Sequence, residues 1–119
     1  MVANMKVSPH QQIGELFEVV GSPVRIQILL AIGMGEACVC HLESLLGLRQ
    51  AYISQQLMDL REKGIIAARR EGKFIYYRLE KPEVLDLVRT AAHAAGIAEN
   101  ELTIQGSSSC ECPKCRQES

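Results

Sequence analysis

Leu48-Arg49-Gln50-Ala51-Tyr52-Ile53-Ser54-Gln55-Gln56-Leu57-Met58-Asp59-Leu60-Arg61-Glu62-Lys63-Gly64-Ile65-Ile66 is the stretch that decides the fold. Ile53, Leu57 and Leu60 recur at i, i+4 and i+7, so one stripe of a helix faces a core. The spacing predicts a helix from about residue 50 to 63, with Gly64 as its stop. Its outward, N-terminal part carries Gln50, Tyr52, Ser54 and Gln55. A Gln can pair with adenine through two hydrogen bonds, Arg with guanine, and Ser with either, so this is a helix fit to read base edges.

Upstream, Ile13, Leu16, Phe17 and Val20 fall at i, i+3, i+4 and i+7 and predict an amphipathic helix ending at Gly21. Ser22 is expected to cap a second helix, with Pro23 at its first position, where a missing N–H costs nothing. Only Arg25 and Gln27 are polar before Gly33, so this helix should be the buried centre. Gly33 and Gly35 bracket Met34 in a turn. A short third helix follows, with Leu42, Leu45 and Leu46 inward and Gly47 as its stop.

Downstream, Ile65 to Arg70, a turn at Glu71-Gly72-Lys73, and Phe74 to Leu79 predict a β-hairpin with a basic tip. Tyr76 and Tyr77 alternate, so one should face the core and one solvent. Pro82 opens a last helix to about Ala95, striped by Val84, Leu87, Val88, Ala91 and Ala95. The expected organisation is a flexible N-terminus (1–9), a folded domain (10–96) and a flexible Cys-rich tail (97–119) containing the linker Gly106-Ser107-Ser108-Ser109.

A chain of 119 residues suits one domain. With 47% hydrophobic but only 4% aromatic residues, the core must be built from Leu, Ile, Val and Ala, which suits helices. No apolar run approaches the roughly 18 residues of a membrane span, and no signal peptide is present, so a cytoplasmic protein with no membrane partner is expected. Net charge is −1. The segment 49–78 nevertheless holds seven basic residues against three acidic ones. A local basic surface on a near-neutral protein is what a small nucleic-acid binder needs.

Helix, helix, helix, reading helix, hairpin, helix is the order of a winged helix-turn-helix, a mainly α fold with a small β-hairpin. The chain resembles the ArsR/SmtB family of metal-sensing repressors. The resemblance rests on Glu36-Ala37-Cys38-Val39-Cys40-His41-Leu42, Ile53-Ser54-Gln55-Gln56-Leu57, Leu60-Arg61-Glu62-Lys63-Gly64-Ile65-Ile66, and Arg70, Gly72, Tyr76-Tyr77 and Leu79. It spans residues 10 to 95. It implies a homodimer, joined through the first and last helices, on pseudo-palindromic double-stranded operator DNA. The front of the reading helix would enter the major groove, bringing Gln50, Tyr52, Ser54 and Gln55, with Arg49 as a cation beside the phosphate path. The wing would bring Arg69, Arg70 and Lys73 to the adjacent minor groove or backbone. Arg49 stands where the family often has a Ser or Thr cap worth about 1 kcal/mol. Arg61 and Lys63 serve either as phosphate contacts or as charges complementing the helix dipole.

Five cysteines in a reducing compartment point to metal binding or thiol chemistry rather than structural disulfides. Cys38 and Cys40 are two apart. On a regular helix they point to nearly opposite sides and share an ion only if Cys38 precedes the first full turn. The alternative is that both are small buried hydrophobes. Two thiolates do not complete a site: zinc, cadmium and lead prefer three or four donors, and arsenite takes three sulfurs. In arsenic sensors of the family the same helix supplies a third Cys, at a position held here by Glu43. In its cadmium/lead sensors N-terminal cysteines complete the pair, and here there are none. The remaining thiols are Cys110, Cys112 and Cys115. Cys112-Pro113-Lys114-Cys115 is half of a common tetrathiolate site. The tail is therefore expected to fold over to Cys38 and Cys40, or to bind its own ion, or to be a free end with redox-prone thiols. His41 is an optional ligand. Asp86 and His93 are seven apart, and the Asp-x-His of the family's other zinc site is absent.

The expected function is a repressor that releases its operator when a thiophilic ion (arsenite, cadmium, lead or zinc) binds. The alternative is a thiol-redox repressor of the same fold, in which close thiols form disulfides. A metal-storage protein would leave the reading helix and basic wing without a purpose. No Ser-His-acid set, phosphate loop or paired carboxylates suggest an enzyme.

Overall fold

Ser8 opens the first helix of the computed structural model, which describes residues 8–104. Helix α1 (Pro9–Val20) starts on a capping box. The Ser8 hydroxyl accepts from the Gln11 N–H at 3.1 Å, and Gln11 Oε1 accepts from the Ser8 N–H at 3.3 Å, satisfying two donors that helix geometry leaves orphaned. Gly21 is the C-cap of α1 and separates it from α2 (Pro23–Ile32); a Cβ there would sit 2.5 Å from the Phe17 carbonyl oxygen, so a larger residue would force a shift. Ser22 stands at the N-cap of α2, but its side chain makes no capping bond. Ile28 and Leu29 of this helix are wholly buried, as its apolar composition requires.

Gly33, Met34 and Gly35 turn the chain into β1 (Glu36–Cys38), a strand not expected from the sequence. Helices α3 (Val39–Leu46) and α4 (Gln50–Glu62) follow. Leu42, Ile53, Leu57 and Leu60 all have zero exposure, and together with Ile28 and Leu29 they bind α2, α3 and α4 into one core. Helix α4 ends in a Schellman motif: Gly64 N–H bonds to Arg61 C=O at 3.0 Å and Ile65 N–H to Leu60 C=O at 3.0 Å. Leu60 and Ile65 are both buried there, so the cap also closes the core.

Strands β2 (Ile66–Glu71) and β3 (Phe74–Leu79) form the hairpin, with Glu71 opposite Phe74 across a two-residue turn. The sheet is antiparallel in the order β1-β3-β2, so β3 lies at the centre. Tyr77 packs against the main core, while Tyr76, only 1% exposed, joins Cys38 in a separate cluster. Tyr77 is thus the core-facing residue, and Tyr76 on the other face is kept from solvent by Cys38, Phe74 and the Arg69 guanidinium over its ring.

Helix α5 (Glu83–Ala94) buries Val84, Leu85, Val88 and Ala92 rather than the whole expected stripe. Ala91 and Ala95 lie on an exposed apolar flank. A 3-10 turn (Glu99–Leu102) follows where the sequence predicts the start of a flexible tail; the Arg89 guanidinium reaches Glu99 at 3.5 Å. The expected linker and Cys110, Cys112 and Cys115 lie outside the described residues. Among the described residues no helix is long and apolar enough to cross a membrane. The order of elements is that of a winged helix-turn-helix, with α3 and α4 as the helix pair and β2–β3 as the wing.

Candidate nucleic-acid interface and thiol pair

The front of α4 is open to solvent. Arg49, Gln50, Tyr52 and Gln55 are exposed, and Ser54 is half-buried. Arg49 occupies the N-cap, where its donor-only guanidinium cannot accept a helix N–H as a Ser or Thr would, and the helix start has no side-chain cap. The Gln55 amide donates to Asp59 Oδ1 at 3.2 Å. Arg61, near the C-terminal end of α4, is exposed, as are Arg70 and Lys73 on the wing. Lys73 Nζ lies 5.6 Å from the Phe74 ring centre at the hairpin tip. Among the described residues none of Arg49, Arg61, Arg70 and Lys73 forms an ion pair. Four such cations on the reading helix and wing are suited to an external polyanion.

Arg69 is placed differently. Its Nε and one terminal nitrogen grip both carboxylate oxygens of Glu36 at 2.7 and 2.8 Å, and its other terminal nitrogen reaches Glu71 at 2.8 Å. The guanidinium lies 4.8 Å from the Tyr76 ring centre. These bonds, Glu36 first and then Glu71, hold its pKa above the usual arginine range. Within the sheet Arg69 is thus a cross-strand tie as well as an exposed cation of the wing. The cause is non-local: β1 places Glu36 within reach of a residue 33 positions away.

A second network was missed in the sequence. Arg25 Nε donates to Gln56 Oε1 at 2.8 Å, one terminal nitrogen to the Val19 carbonyl at 2.9 Å, and the other to Asp59 Oδ2 at 2.9 Å. One side chain therefore joins the last turn of α1, the start of α2 and the middle of the reading helix. The available signal was the one charged residue in a helix whose only other polar residue is Gln27.

Cys38 ends β1 and serves as the N-cap of α3, with extended φ −92° and ψ 166°. It therefore precedes the first turn, which is the condition for it and Cys40 to converge on one ion. Its Sγ accepts from the His41 N–H at 3.3 Å. Cys38 is 3% exposed, whereas Cys40 is exposed, so the two are not a buried apolar pair. His41 is half-buried. No group of three or more His, Cys, Asp or Glu among the described residues could hold a metal ion. Among the described residues of one chain, Cys38 and Cys40 are not joined by a third such donor.

Apolar side chains of α1 and α5 face solvent. Ile13 and Phe17 are 53% and 52% exposed. Phe17, Val20, Leu87, Ala91, Ala95 and Ile97 line a groove of about 310 Å³.

Residues 22–68 match the family described as bacterial regulatory protein, arsR family. The chain is 32% identical over 88 residues to a transcriptional repressor SmtB homolog of Synechocystis sp., a match covering 74% of this chain and 67% of that one. It is 44% identical over 70 residues to the arsenic resistance transcriptional regulator ArsR1 of Pseudomonas putida, over 58% of this chain and 54% of the relative, about half its length. Among solved structures it is similar to the homodimeric winged helix-turn-helix DNA-binding domain Mb0332 of Mycobacterium bovis, with a TM-score of 0.62, 28% identity, and coverage of 71% and 79% of the two chains.

Proposed function

This chain belongs to the arsR family of bacterial regulatory proteins, and from that premise we propose that it is a homodimeric repressor that leaves its operator when a thiophilic ion binds its thiols. Its family consists of DNA-binding transcriptional regulators, not enzymes. The observation that carries the effector reading is the place of Cys38: an N-cap ahead of Cys40, on a helix packed against the reading helix.

Cys38 and Cys40 supply two thiolates, and Cys110, Cys112 and Cys115 supply the rest, closing an all-sulfur site for arsenite, cadmium, lead or zinc. A bound ion draws these thiolates together and so alters how α3 sits against α4. Without the ion, Gln50, Tyr52, Ser54 and Gln55 read bases in the major groove while Arg49, Arg61, Arg70 and Lys73 hold phosphates; with the ion bound that fit is lost and the operator is released. Arg69 acts from within the sheet. The apolar flank of α1 and α5 supports pairing with a second copy, as does the similarity to a homodimeric domain.

Titrating the reduced protein on an operator-like duplex with Cd(II), Pb(II), Zn(II) and arsenite tests the reading. Anisotropy reports DNA release, and ultraviolet absorption reports sulfur-to-metal charge transfer. Release that is lost in both Cys38→Ser/Cys40→Ser and a chain cut before residue 107 is the expected result. Release that survives the cut confines sensing to α3. No release by any ion refutes metal sensing, and release by peroxide with recovery in dithiothreitol would put oxidation in its place.

A further inference from the structure

Cys38, Tyr76 and Arg69 form one row across the sheet, since Cys38 is in register with Tyr76 on β3 and Tyr76 with Arg69 on β2. Residues paired in this way present their side chains on the same face, and Glu36, two positions from Cys38 on its strand, shares that face. Three observations lock the row. Cys38 and Tyr76 are both buried and packed together. The Arg69 guanidinium lies over the Tyr76 ring. That same guanidinium crosses the central strand to hold both oxygens of Glu36. The outer strand of the wing is thereby tied to the strand that ends in the thiol.

We propose that the Arg69–Glu36 pair is a strap that couples the Cys38 thiol to the wing, so that occupying the thiol re-aims the β2–β3 hairpin on DNA. The inference deepens the sensing reading and rests on it for its biological use. It adds a route that runs through the sheet rather than through the contact of α3 with α4. Arg69 and Glu36 are positioning residues in this scheme. A group attached at Cys38 cannot share the space of Tyr76, which is 1% exposed. Tyr76 in turn cannot shift without moving the guanidinium above it, and the bidentate grip passes the shift to β2. Arg70 and Lys73, on and beside β2, then change their distance from the DNA backbone.

The test uses the full chain with Cys40, Cys110, Cys112 and Cys115 changed to Ser. Methyl methanethiosulfonate caps Cys38: the thiolate sulfur attacks the reagent's sulfenyl sulfur, a methyl disulfide forms, and methanesulfinate leaves. Operator affinity and the amide resonances of Gly72 and Lys73 are measured before and after capping. With the strap intact, capping should weaken operator binding by about tenfold and move both amide signals. In Arg69→Gln and, independently, Glu36→Gln, the same cap should change affinity by no more than about twofold, with the wing signals still. Arg69→Lys, which keeps the charge but loses the two-pronged grip, should fall between. Equal effects of capping with and without the strap would overturn the proposal, as would a cap that leaves the wing and the affinity unmoved in the intact chain. Because the cap is covalent and needs no metal, such a failure is separate from a failed metal titration.

Discussion

Gly64 holds φ at +76°, a conformation in which an L side chain is strained. There is room for a methyl group, since the nearest atom to a Cβ placed there is Lys81 Cε at 3.9 Å. The cost of Gly64→Ala is therefore conformational, about 1 kcal/mol, and should lower Tm by about 5 °C in a thermal melt. Arg70 is exposed on the wing. Arg70→Ala should leave Tm unchanged, weaken operator binding alike across sequences, and reduce the salt slope of log affinity by about one. Arg69 is the contrasting case. Its pKa is raised in the folded state, so its contribution is complete below the ordinary arginine range and is lost only above it. The stability difference between the wild type and Arg69→Gln should therefore be constant between about pH 6 and 9 in urea titrations.

Helix α4 takes its orientation from what grips it on both sides. Its inner face, Ile53, Leu57 and Leu60, is sealed in the core. Its flank is held by Arg25 through Gln56 and Asp59, and the same guanidinium holds the Val19 carbonyl at the end of α1. The Arg25 and Asp59 side chains are 19% and 35% exposed, so the pair is worth more than a surface ion pair and less than a buried one. Arg25→Ala should cost about 2 kcal/mol in urea unfolding. Operator affinity should fall as well, because the angle between α1 and the reading helix is no longer fixed. A double-mutant cycle with Asp59→Ala should return a coupling of about 1 kcal/mol; additivity would show that the two side chains act separately.

In the whole molecule, the proposed homodimer requires two reading helices set at a spacing that matches the operator, and the exposed apolar flank of α1 and α5 is the proposed seat of the second copy. Ala91 sits in that flank and is exposed. Ala91→Glu should leave the monomer folded, shift sedimentation equilibrium to monomer, and remove most operator binding, since one unit alone engages a single half-site. An unaltered dimer would place the interface elsewhere. The proposed ion effector and the operator must also be linked: DNA should weaken ion binding by the same factor that the ion weakens DNA binding, typically about 1–3 kcal/mol. Ion titrations with and without duplex measure that factor from both directions.

Local pattern was enough for the helices and the hairpin. The 3.6-residue recurrence of Ile53, Leu57 and Leu60 names its buried face without reference to the rest of the chain, and Gly64 marks its end, because both depend on neighbours a few residues away. The basic character of segment 49–78 was equally plain in the sequence. The fate of each charge was not. Arg69 and Arg70 are adjacent and chemically alike, yet one is tied to Glu36 and the other is open to solvent. That distinction depends on β1, a three-residue strand too short to show a period of its own and formed by pairing with β3 about 40 positions later. The same pairing buries Cys38 while leaving Cys40 exposed, and the same kind of long-range packing brings Arg25 to Asp59. Periodicity along a chain tells which face of an element is apolar; which charged or thiol group meets which partner is settled only when distant strands and helices are brought side by side.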